Sequence, residues 1–129
     1  MHSGSFTEAQ VQTVLLTDAV INACAWAVAF HTALSLNEGI DPADVQAIRE
    51  RRLPKDSKLA ALSALAKTMI EKRGRLDDQD VDRFIATGFG KDDALEVIAI
   101  VAASTIMNYT GSITKTPLEA PFQAHAWPG

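Results

Sequence analysis

The sequence of 129 residues is poor in cysteine, aromatics and charge of either sign, and each shortage removes a class of protein. A single cysteine, Cys24, excludes an internal disulfide framework and a multi-cysteine zinc site. It leaves three roles for that residue: a small buried hydrophobe, a reactive thiol, or an intermolecular link. Aromatics make up only 6% against 47% hydrophobic residues, so the core has to be assembled from Ala, Leu, Ile and Val. That apolar fraction is too high for a disordered chain. Twelve basic residues against sixteen acidic ones give a net charge of −4, and no basic stripe interleaves with aromatics, which argues against a nucleic-acid partner. Long uninterrupted apolar runs are also missing. Val14–Leu36 is broken by Asp18, Asn22 and His31, and Ala94–Met107 is too short for a bilayer span, so no membrane is expected. Met1–Ser5 lacks the features of a secretory signal and reads as a flexible N-terminus or an expression remnant, with the cytoplasm as the expected compartment.

What is present is a series of helix-length segments punctuated by Gly and Pro. Apolar residues recur at three and four, which predicts an all-α fold. The expected helices are Thr7–Ile21, Ala23–Glu38, a short one from Asp41-Pro42 to about Arg51, Ser57–Lys72, one from Asp77 to near Gly88, and Lys91–Tyr109. Asp41 before Pro42 is a strong start signal, and Gly39 a stop signal. The last helix is apolar on nearly every side from Leu95 onward, more than one small domain can cover, so part of it is expected to meet another subunit. The domain then occupies residues 6–111, and 112–129 form a tail that packs on it or on a neighbouring subunit.

The string from Ile21 to Leu34 carries the site candidate. Cys24 and His31 are seven residues apart, nearly two helical turns, which predicts that they share a face with Ala27 between them. A thiol at a helix start sits at the positive end of the helix dipole, and an imidazole two turns on is a proton partner. A packing cysteine and a hydrogen-bonded structural histidine fit the same spacing. No second His or carboxylate lies at helical spacing with His31 in this segment, so no metal is expected. Asp18, Asn108, the Trp26/Phe30 pair and the charge cluster Glu50-Arg51-Arg52 with Lys55 and Lys58 fit packing, capping or solvated surface at least as well as a reactive role. Gly88-x-Gly90 lacks the phosphate-loop pattern.

The string Asn22 to Leu34, with Phe6–Gln12 upstream, Arg73-Gly74-Arg75-Leu76, Gly88-Phe89, Asn108-Tyr109 and Thr116-Pro117-Leu118, resembles the AhpD-like proteins of the carboxymuconolactone decarboxylase superfamily. The resemblance runs from Phe6 to Phe122. It implies a domain of about six helices that assembles as a homo-oligomer, a trimer or hexamer, and a thiol-dependent peroxidase needing no cofactor, with a small hydroperoxide as substrate and an external thiol as reductant. In the family motif Cys-x-x-Cys-x-x-x-His, Cys24 matches the first cysteine and His31 the histidine. Ala27 occupies the position of the second cysteine, and Gln12 stands where many members carry a proton-relay Glu. Trp26 replaces a histidine found in some members. A disulfide cycle within the chain is therefore excluded, and weak peroxidase activity is the expectation. Two alternatives remain open: a diverged or engineered member with an apolar small-molecule pocket beside His31, and decarboxylase-like acid/base chemistry.

Overall fold

The computed structural model describes residues 6–129 and contains no strand among them. Its helices are α1 (Glu8–Ile21), α2 (Ala25–Asn37), α3 (Pro42–Arg49), α4 (Ser57–Glu71), α5 (Asp78–Ile85) and α6 (Lys91–Thr114), followed by a 3-10 turn, η1 (Ala120–His125). The all-α reading and its six helices hold. The segment 1–5, read from the sequence as a flexible end, lies outside the described residues.

Short polar side chains set most helix starts. Thr7 Oγ1 accepts from the Gln10 amide at 3.1 Å while the Thr7 amide donates to Gln10 Oε1, a reciprocal cap on α1. Asp41 and Asp56 accept from backbone amides at the starts of α3 and α4, and Asp77 with Asp80 repeats the reciprocal cap on α5. Between α1 and α2 the chain reverses at Ala23, which has φ 54°, and the Cys24 amide donates back to the Ala19 carbonyl at 3.0 Å. This turn makes Cys24 the residue that precedes α2, not part of its first turn.

Helix α1 lies at the centre and is buried on two sides. Val14 joins Leu62, Leu65, Met69, Phe84, Val97 and Val101 in one cluster with α4, α5 and α6. Leu16 and Val20 join Val28, Val45, Ile48 and Leu59 in a second cluster with α2, α3 and the start of α4. Two fully covered faces explain why α1 lacks a simple apolar stripe. Phe84 stacks on Phe89 at 4.8 Å between ring centres and closes the first cluster.

Helix α6 continues five residues past the predicted Tyr109 end. Thr110 and Thr114 return their hydroxyls to carbonyls one turn back, and Lys115, at φ 53°, ends the helix. Its 24 residues make it long and apolar enough to cross a membrane, although Ala94–Met107 alone was too short. One face, with Ala94, Val97, Ile100 and Val101, belongs to the core. The other leaves Leu95, Ile98, Ile106, Tyr109 and Ile113 exposed, from 46% for Ile98 to 80% for Ile113, and Met107 is exposed on the flank.

Residues 115–129 return across the outer side of α2 and α3. Arg49 donates to the carbonyls of His125 and Ala126 at 2.8 and 3.0 Å, and Trp127 Nε1 donates to the Arg49 carbonyl. Arg51 lies over the Trp127 ring at 5.0 Å, while Arg52 pairs with Glu50 at the exposed end of α3. Part of the basic cluster is thus occupied in holding the tail.

Candidate functional site

A cavity of about 230 Å³ opens between α2 and α6. Its apolar wall is Leu15, Trp26, Ala27, Phe30, Ala103 and Met107, and its polar groups are His31, Ser104 and Asn108. Of the residues singled out from the sequence, His31, Ala27, Trp26, Phe30 and Asn108 line this space.

Cys24 does not line it. The thiol is 2% exposed and packs in the cluster of α1, α2 and α3. Gly111 of α6 comes so close that a methyl group there would stand 3.5 Å from Sγ, so α6 covers the sulfur. Helical spacing predicted one shared face, but that rule holds only inside a helix. With φ −93° and ψ 95°, Cys24 is extended, and its side chain departs from the row marked by Ala27 and His31.

Gln12 reaches His31 from α1. Its Oε1 lies 2.9 Å from Nδ1, and because an amide oxygen only accepts, the imidazole carries its proton on Nδ1 and leaves Nε2 with a lone pair. Burial lowers the His31 pKa from 6.5 to about 4, so the ring is neutral at pH 7. A neutral amide at Gln12 offers no charge to reverse this. Phe30 meets the imidazole edge-on at 5.2 Å and stacks on Trp26 at 5.3 Å. The tail braces this wall from outside: Trp26 Nε1 donates to Glu119 Oε1 at 2.8 Å, and Phe122 packs edge-on against Phe30.

Asp18 is fully buried and serves the junction of α1 with α6. It accepts from Asn22 Nδ2 at 2.9 Å, Thr105 Oγ1 at 3.3 Å and Asn108 Nδ2 at 3.4 Å. Desolvation outweighs these bonds and raises its pKa from 3.8 to about 6. It makes no bond to His31, so it does not take the place of the carboxylate missing at Gln12. The sequence reading missed Leu15, Ala103, Ser104 and Met107 as lining residues. Their only signal was membership of apolar helices, which does not reveal which helices meet. Among the described residues, no group of three or more His, Cys, Asp or Glu is placed to hold a metal ion.

No protein-family model and no curated protein sequence matches the chain. Solved structures do. An uncharacterized peroxidase-related protein from Silicibacter sp. TM1040 superposes with a TM-score of 0.83 at 16% identity, over 93% of this chain and 64% of that one. The alkylhydroperoxidase AhpD core of an uncharacterized peroxidase-related protein from Ralstonia eutropha JMP134 gives 0.84 at 16% identity, over 94% and 65%. This chain thus spans just under two thirds of those proteins' length. Likeness at this level of identity concerns the fold: the chain has the AhpD-like all-α fold of peroxidase-related proteins.

Proposed function

We propose that this chain is a peroxidase-type scaffold in which peroxide reduction is weak and the cavity beside His31 serves to bind a small molecule. The observation that carries the reading is the separation of the two motif residues. His31 and Ala27 line the cavity, and the only thiol lies outside it at 2% exposure. Reaction of Cys24 with a hydroperoxide would convert thiol and ROOH to sulfenic acid and ROH. One external thiol would then form a mixed disulfide with loss of water, and a second would release Cys24. A covered sulfur with no second thiol in the chain makes each of these steps slow. Decarboxylase-like chemistry on an acid is disfavoured, because the cavity wall contains no Lys or Arg to hold a carboxylate.

The test is to expose the reduced protein to excess tert-butyl hydroperoxide and follow the mass of the Cys24 peptide. Oxidation of only a small fraction over several minutes is expected. Rapid stoichiometric sulfenic acid at Cys24, slowed in His31→Ala, would overturn the reading and establish a one-cysteine peroxidase.

The exposed face of α6 supports assembly with further copies of this chain. Five of its large apolar side chains, Met107 on the cavity rim left out, each expose on the order of 100 Å², so apposing two copies would bury roughly 1,000 Å², the lower limit for a specific interface. Light scattering at micromolar concentration should report an oligomer, and Ile106→Lys should dissociate it. A monomeric parent chain would refute the assembly.

A further inference from the structure

The cavity beside His31 has chemistry specific enough to name a ligand class. About 230 Å³ is less than the roughly 300–1,000 Å³ of sites for drug-sized ligands, which limits the occupant to about one ring. The wall carries no ionisable group other than His31. Asp18 lies behind Asn108, fully covered and engaged by Asn22, Thr105 and Asn108. An anion entering this space would lose part of its hydration and find no cation.

On the α2 wall one hydrogen-bonding atom remains open. Nδ1 is committed to Gln12, and Nε2 has no protein partner among the described residues. An unprotonated ring nitrogen accepts and does not donate, so it selects a ligand with a hydroxyl or an N–H. Ser104 and Asn108, whose side chains also bond Asp18, add small polar contacts opposite the α2 side, while Leu15, Phe30 and Met107 supply a surface suited to an apolar ring, the thioether included.

We propose that the cavity binds small neutral phenols, with the phenolic hydroxyl donating to His31 Nε2, and rejects carboxylates of the same size. This rests on the reading that the cavity, not Cys24, is the working part of the molecule. It concerns binding alone, so it fails or stands separately from peroxide reduction.

Isothermal titration calorimetry of the full chain at pH 7.5 with p-cresol, 4-methylanisole and 4-methylbenzoate tests it. p-Cresol should bind saturably, at least tenfold more tightly than 4-methylbenzoate and several-fold more tightly than 4-methylanisole, which lacks the donor. His31→Phe should erase the preference for p-cresol over 4-methylanisole. Met107→Trp, at an exposed position on the rim, should abolish binding with the fold intact and serves if the histidine variant does not fold. Equal binding of 4-methylbenzoate, indifference to the hydroxyl, binding that survives Met107→Trp, or no saturable binding of p-cresol would each overturn the proposal. Should p-cresol bind as expected while Cys24 reduces peroxide rapidly, the binding class stands and the reading of Cys24 falls.

Discussion

Replacing Gln12 by Glu puts a carboxylate where the amide oxygen now lies 2.9 Å from His31 Nδ1. The imidazole of the parent protein titrates at about 4 because burial opposes its charge and nothing offsets that cost. A unit charge at about 4 Å in surroundings of effective dielectric near 20 contributes about 4 kcal/mol. At 1.36 kcal/mol per pH unit that is about three units, less the cost of partly burying the new carboxylate. His31 in Gln12→Glu should therefore titrate at least two units higher, near neutrality. The assay is a proton–carbon NMR titration of the imidazole signals between pH 3 and 9, with His31→Gln giving the assignment. Stability should follow. In the parent protein the unfolded chain binds the His31 proton more tightly than the folded one. The His31 contribution is therefore complete above pH 6.5 and is lost as pH falls towards 4, by about 3 kcal/mol. In Gln12→Glu that loss should largely disappear. A parent His31 titrating near 6.5, or a variant His31 remaining below 5, would refute the reasoning.

Two further outcomes follow from the same structure. Asp18, raised to about 6, favours the folded state in its protonated form, so its contribution is present below pH 3.8 and is lost as pH rises through 6. Relative to the parent, Asp18→Asn should gain about 2 kcal/mol between pH 4 and pH 7 in urea unfolding, and an unchanged difference would contradict the burial of that charge. Combining Glu119→Ala with Phe122→Ala removes both braces on Trp26 and Phe30, so trypsin should cut at Lys115 several-fold faster while the melting temperature falls by only about 5 °C. Unchanged cleavage would show that the tail is held by the Arg49 and Trp127 contacts alone.

Much of this fold was legible because its helix boundaries are written in local chemistry. Asp41-Pro42, Asp77 and Gly39 act within one turn of their own position, and the structure uses each of them at a helix end. The true end of α6 was less visible: Gly111 reads as a stop, yet the helix runs through it to Thr114. Pairings across the fold had no local signature. Asp18 and Thr105 are 87 residues apart, and Trp26 and Glu119 are 93 apart. The site was half legible. His31, Ala27 and Gln12 come together as one neighbourhood, with Gln12 beside the ring it was expected to accompany. Cys24 lay one residue too early for the helical rule, since the left-handed turn at Ala23 places it ahead of α2.

The most direct measurement compares peroxide turnover of the parent chain with that of Ala27→Cys, using tert-butyl hydroperoxide and excess dithiol. That substitution puts a thiol on the cavity wall beside His31 and three residues from Cys24. The account expects turnover near background for the parent and at least a tenfold gain for the variant. Brisk turnover by the parent that Ala27→Cys does not improve would contradict the claim that the absent thiol, and not the scaffold, limits peroxide chemistry here.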